Sequence, residues 1–536
     1  MSQFTSEDRS EGSIPLRAAS LEAPRIAESR DDSSSADSVK QLGLVAAIAS
    51  LGYVFWVVGA MEMVERLAYY GVKAVATQYA KAPASEGGLG VSMSTFGVLL
   101  SWWALTQSIV PVFTGGLSDR YGYKQTIFVS TCIKICGYLT MAFLPTYEGF
   151  FMGAILLALG TAVFKPGIQG TLVNATNREN SSMAWGIFYQ TVNIGGFLGP
   201  LVAGLMRKMA WRNVFFACAA IICLNFLLLL TYREPGLEKR LERQAREKEE
   251  GTQGPNLLVD SLLEILQPKV FVYLGIFSGF WFMFNALFDV LPAYIEDWVD
   301  THDIVTTLFG SGGATNPVVK FFVVMSNDGR HIMPEGMLNL NAGLIMTTCF
   351  LFAYISGKMR ATTSMVVGTL LASAAMFMSG YSTLGWVSVG AIAVFSVGEM
   401  LSSPKFSEFI GNFAPEGKKA MYLGFSQISL AVGWTLEGKY GTSLYDQYSS
   451  KDLFSRDQLV AMGFPTQDVA LIPSGQAFNY LVKVTGQTPE MLTQGLRDLH
   501  APGTVWYIMG GVGIVAAFGI FCYGVWIGSR EAQRSQ

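Results

Sequence analysis

Twelve stretches of this 536-residue chain are long and apolar enough to cross a bilayer, which leaves few folds open. A spanning helix needs about 20 mostly apolar residues. Inside lipid only helices and closed barrels satisfy every backbone polar group. The stretches lie near 52–79, 93–117, 124–145, 148–172, 182–204, 211–232, 269–297, 338–358, 361–382, 384–410, 416–440 and 503–529. The expectation is an all-α, multi-pass membrane protein. Only 14% of the residues are charged, against about a quarter in a soluble domain. A net charge of −3 gives no reason to expect a nucleic-acid partner; the lipid bilayer is the partner the composition implies.

The organisation is two groups of six spans. Residues 1–41 read as a disordered cytoplasmic tail, rich in Ser, Asp, Glu and Arg and without a signal-peptide core. Residues 42–232 hold the first six spans, with the apolar run at 42–51 read as a backward extension of span one or an interfacial piece. Residues 233–268 form a charged cytoplasmic linker, 269–529 hold the second six spans, and 530–536 form a short cytoplasmic tail. Two long outward segments, 298–337 and 441–502, interrupt the second group. Placing both termini inside puts Arg120, Lys124, the "REPGLEKRLERQAREKEE" linker and "GKMR" at 357–360 inside, as the positive-inside rule asks. The short "RKMAWR" loop at 207–212 dissents. This layout is that of the major facilitator fold, twelve helices in two six-helix bundles.

One stretch breaks the apolar pattern. "VGAMEMVERLAYYGVKAV" at 58–75 sets Glu62, Glu65, Arg66, Tyr69, Tyr70 and Lys73 at i, i+3, i+4, i+7, i+8 and i+11. At about 100° per residue these share one helical arc. Charges in hydrocarbon cost several kcal/mol unless paired or wetted, so the arc is expected to face a water-filled cavity, with Glu62 and Arg66 paired. The competing reading is an ion-pair cluster that serves folding alone, or a helix end where the charges meet headgroups. All three histidines lie in polar loops, so proton chemistry inside the membrane falls to carboxylates.

Five ordered motifs then resemble the proton-coupled oligopeptide transporter family. "ERLAYYG" with Glu62 before it is similar to that family's ExxERFxYYG motif, with Leu67 for Phe. "GLSDRYGYKQTI" resembles its loop after span two, one residue short. "FKPGIQG" resembles the FKPN motif and supplies Lys165; "FYQTVNIGG" is similar to FYxxIN, with Val192 for Ile. "VGEMLSSP" followed by "FAP" resembles span ten and supplies Glu399. The resemblance implies proton-driven symport of di- or tripeptides by alternating access, with no cofactor and no enzymatic activity, in the plasma or inner membrane. It implies Lys165, Arg66 and Lys73 toward a substrate carboxylate and Glu399 toward its amino group. Tyr69, Tyr70 and Trp281 would line side-chain pockets, and Asn341 matches a substrate-contacting position. Proton coupling would involve Glu62, Glu65, Arg66 and Asp289, and Asp119 and Arg120 would gate the cytoplasmic end.

Read from the residues alone, Lys165 could instead snorkel to the interface, and Glu399 could be a neutral buried carboxyl. Asn193 and Asn341 are mid-helix amides that bond either a ligand or a neighbouring helix. The chain also departs from the family. Asn285 stands where an acid is expected in span seven, with Asp289 one turn later; Ser108 and Ser426 replace a Tyr and a Trp. These changes keep open a transporter of another small anion or metabolite, such as nitrate or an organic ion, and a ligand sensor that transports nothing. Lys134, a mid-span charge, has no account in the sequence. No metal-binding cluster, nucleophile elbow or ATP-binding loop is present in the sequence.

Overall fold

The computed structural model describes residues 44–177, 180–238, 242, 265–413 and 419–534. The tail at 1–41 and most of the 233–268 linker lie outside the described residues. Twelve long helices, numbered here α1 to α12, account for most of the rest. In the N-terminal half they are α1 Tyr53–Lys81, α2 Met93–Tyr121, α3 Tyr123–Phe143, α4 Tyr147–Asn174, α5 Ser181–Arg207 and α6 Trp211–Leu230. In the C-terminal half they are α7 Pro268–Asp289, α8 Pro334–Gly357, α9 Ala361–Tyr381, α10 Gly385–Phe413, α11 Lys419–Leu436 and α12 Thr504–Arg534. Among the described residues there is no β-strand beyond two isolated bridges.

The boundaries differ from the sequence expectation where local chemistry decides. The run at 42–51 is not an extension of α1 but a separate short helix, Leu44–Ala49. Helix α2 continues past 117 to Tyr121, and Gly122, at φ 111°, makes the sharp corner into α3. Span seven is broken: α7 ends at Asp289, and Leu291–Trp298 starts a new helix with Pro292 in its first turn, where a missing N–H is harmless. Pro166 does not break α4, which runs unbroken to Asn174. Beyond α11, a π-turn at Glu437–Gly441 leads straight into Thr442–Ser449. The outward segments carry small helices, His302–Phe309 and Pro317–Phe322 in the first, Lys451–Ala461, Thr466–Leu471, Ala477–Thr485 and Pro489–His500 in the second. The end of the molecule bearing these segments is called the loop side below, and the other the tail side.

The surface is apolar where lipid would lie: Phe143, Leu230, Phe350 and Phe518 are all two-thirds exposed or more. Eight of the twelve helices are apolar enough to cross a membrane on composition alone; α1, α2, α5 and α11 fall short. These four lie at the seam between the halves, where the part of each surface that faces the other bundle can carry polar groups.

Glycine sets how closely they meet. A Cβ at Gly195 or Gly199 of α5 would press on the α1 backbone at Met63 or Leu67, within 2.5–2.7 Å. On the loop side, Gly97 of α2 and Gly438 lie backbone to backbone: a Cβ on Gly438 would fall 2.9 Å from Ser101 N. Small residues at such crossings let helices pack without lipid-driven association.

Candidate functional site

A cavity of about 560 Å³ lies between the two halves. Its walls come from α1, α4 and α5 on one side and α7, α8, α10 and α11 on the other. Glu62, Arg66, Tyr70, Lys73, Lys165 and Asn193 line the N-terminal wall; Trp281, Asn341 and Glu399 line the C-terminal wall. Nine of the residues proposed from sequence therefore meet at one place, across two bundles.

Two others do not. Glu65 shares the α1 arc by spacing but is fully buried behind it. It pairs with Lys134 of α3 and with Arg66, and Thr161 of α4 donates to it at 3.4 Å. Helical spacing alone could not foresee this, because the partner comes from a different helix. Lys134, unexplained by sequence, is Glu65's counter-ion. Its stem fits because position 160 is glycine: a Cβ there would come 2.5 Å from Lys134 Cγ. Tyr69 also points away, donating to Gln107 at 3.0 Å with the Arg66 guanidinium 5.0 Å from its ring centre. It braces Arg66 from outside the cavity. The side chains of Asp119 and Arg120 lie outside the described set; their backbone belongs to the end of α2.

The remaining charges divide into committed and uncommitted. Glu62 Oε1 meets Arg66 at 3.3 Å, while its Oε2 has no partner. Lys165 makes no ion pair. Glu399 meets no cation; Asn341 Nδ2 donates to it at 3.0 Å and also bonds Ser396 Oγ at 3.0 Å. Asn341 therefore orients the carboxylate. Asn193 donates along its own helix to the Tyr189 carbonyl at 2.9 Å, and Asn285 does the same to Trp281 at 2.7 Å. Trp281 Nε1 and both amide atoms of Asn339 are buried without partners at the cavity wall. Unpartnered polar atoms in a concave site are the groups a ligand can satisfy.

The loop side of the cavity is closed by a lock joining the halves. Lys73 of α1 meets Asp289 of α7 at 2.5 Å; Trp434 Nε1 donates to the other Asp289 oxygen at 2.9 Å and its ring lies 4.4 Å from the Lys73 ammonium. Farther out, Lys81 meets Asp297 at 2.8 Å, and Arg207 pairs with Glu335. Asp446 accepts from the backbone N–H of Met93 and Ser94, at 3.1 and 2.7 Å, so the C-terminal half caps α2. Among the described residues, every ion pair between the halves lies at or beyond Lys73 toward the loop side. The structure is shut on the loop side.

Sequence reasoning missed one member of this region. Glu437, on the π-turn, is fully buried beside the lock. A carboxylate three residues after Trp434 at the end of an apolar run was the available signal.

The chain belongs to the Major Facilitator Superfamily, whose family model matches residues 43–436. It is a multi-pass integral membrane protein of the transporter class. An uncharacterized transporter of Bacillus subtilis (strain 168), YclF, is 26% identical over 194 residues, 36% of this chain; the match spans only 39% of that relative's length. Multidrug resistance protein MdtH of Edwardsiella ictaluri (strain 93-146) is 22% identical over 371 residues, covering 68% of this chain and 81% of its own. The crystal structure of a POT family transporter in complex with a thioalcohol conjugated peptide shares the fold, with a TM-score of 0.64 at 16% identity. It covers 90% of this chain and 100% of that one.

Proposed function

We propose that this chain is a proton-driven symporter of short zwitterionic peptides, working by alternating access, with the tail side facing the cytoplasm. One observation carries the reading. Among the described residues, the cavity has one cation outside any ion pair, Lys165, on the N-terminal wall and one carboxylate without a cation, Glu399, on the C-terminal wall. A free peptide has a carboxylate at one end and an ammonium at the other. Charge complementarity of this kind fixes orientation and rejects ligands with the wrong ends. Because the two charges sit on different halves, a bound peptide bridges the halves and biases their rocking about the site.

Proton coupling enters at the carboxylates that compete for the same cations. Protonating Glu62 removes the competing anion that lines the cavity beside Arg66 and Lys165, and so favours a substrate carboxylate there. Protonating Asp289 would weaken the Lys73 lock. Glu65, held by Lys134 and Arg66, serves as scaffold in this reading. The POT family fold and the five motifs support it.

The aromatic walls favour a second reading. Trp185 and Phe188 of α5 and Trp281, Phe284 and Phe288 of α7 line the cavity from both halves, a surface suited to an amphiphilic organic cation, and one set of relatives carries a multidrug name. The test is uptake of labelled alanyl-alanine into proteoliposomes with an imposed pH gradient, beside a hydrophobic cation. Gradient-dependent dipeptide accumulation supports peptide symport. Uptake that is unchanged when the gradient is collapsed ends proton coupling, and transport of the cation alone favours the second reading.

A further inference from the structure

The loop-side lock contains one carboxylate too many. Asp289 commits both oxygens, one to Lys73 and one to Trp434. Glu437 stands three residues after Trp434, whose indole bonds Asp289, and is fully buried; Asp289 and Lys73 are the charges that act on it. Neither Glu437 oxygen has a donor partner. Two ionised carboxylates cannot bond one another, since both only accept. The contact becomes a hydrogen bond when one of them carries a proton.

The surroundings offer no alternative. Among the described residues, the charges that act on Glu437 are Lys73 from α1 and Asp289 from α7. The α2 face packed on the π-turn presents Gly97 and Ser101, and Ser101 Oγ is spent on the Thr435 and Gly97 carbonyls. On the following helix, Tyr445 bonds Asp297 and Asp446 caps α2. Lys439 is exposed, beside Tyr440. A bare second carboxylate in a closed site with one shared cation is strongly disfavoured, and such groups neutralise instead. Glu437 opens the π-turn one helical turn after Trp434, on the same face, and π-turns recur at functional sites.

We propose that Glu437 carries a proton in the closed state, donates it in a hydrogen bond to Asp289, and is the proton-holding residue of the loop-side gate. Lys73 and Asp289 belong to different halves, so opening the gate pulls them apart. Asp289 and Glu437 belong to the same half and stay together. With a proton between them the separated pair carries one negative charge; without it, two, and Lys73 is held more tightly. Proton occupancy of the pair thereby sets how readily the gate opens. The transport part of this inference rests on the proton-driven reading above.

The experiment has two arms. Infrared spectra of purified protein at neutral pH are compared with Glu437→Gln, an isosteric change that removes the proton-carrying oxygen. The expected result is a protonated-carboxyl band in the wild type that is lost in the variant; a band of equal size in both overturns the proposal. This arm needs no substrate, so it decides even if alanyl-alanine proves not to be transported. In proteoliposomes, the variant should lose pH-gradient-driven accumulation of alanyl-alanine while keeping counterflow exchange, which also shows that it is folded. Accumulation by the variant at the wild-type level overturns the proposal.

Discussion

Two clusters of buried charge lie along α1, about two helical turns apart, and they are built on opposite plans. The first, Glu62, Glu65, Arg66 and Lys134 with Lys165 nearby, lies wholly within the N-terminal half and has a cation to spare. The second, Lys73, Asp289 and Glu437, straddles the halves and has a carboxylate to spare. A cluster confined to one bundle keeps its partners whatever the halves do. A cluster that crosses the seam must be broken once in every cycle. The surplus cation of the first is available to a ligand, and the surplus anion of the second to a proton.

The comparison can be broken most severely at Lys134. Removing one partner of a fully buried pair leaves an uncompensated charge and costs about 3–5 kcal/mol. Lys134→Met should therefore lower stability by about that amount in detergent unfolding, and adding Glu65→Gln should recover most of it. If Lys134→Met is neutral, the first cluster is not scaffold. Next come the two uncommitted charges. Lys165→Ala and Glu399→Gln should each weaken alanyl-alanine binding by about 2–5 kcal/mol, read by calorimetry, with little change in unfolding.

The second cluster should respond in conformation. Lys73→Met removes the lock, and a cysteine at Ser101, inside the Gly97–Gly438 seam, should react with an impermeant thiol reagent roughly tenfold faster from the loop side, an effect of about 1.4 kcal/mol. The six native cysteines are replaced beforehand. The same probe behind Lys134→Met should stay unreactive, which separates scaffold from gate. The smallest effect is expected at Asp446→Ala. Losing a helix cap costs about 1 kcal/mol, and here it should favour opening of the loop side, since the cap is lent to α2 by the other half.

Much of this was legible in the sequence because membrane folding is dominated by one signal. Runs of apolar residues located the helices, and charges inside those runs located Arg66, Lys165 and Glu399. What failed was anything decided by a neighbour. A helical arc cannot tell that Glu65 turns toward α3, since the glycine that admits Lys134 lies in α4. Nor can it tell that Asn341 is spent on Glu399. Glu437 escaped for a different reason. It stands near the end of an apolar run, where a charge gives no sign of being buried.

The central claim is that the cavity reads both ends of a zwitterion. Binding of alanyl-alanine, its N-acetyl derivative and its C-terminal amide to the purified protein tests this most directly. The account predicts that the free dipeptide binds most tightly, that either blocked end weakens binding, and that Glu399→Gln no longer distinguishes the free from the acetylated form. Equal binding of all three ligands to the unaltered protein would contradict it.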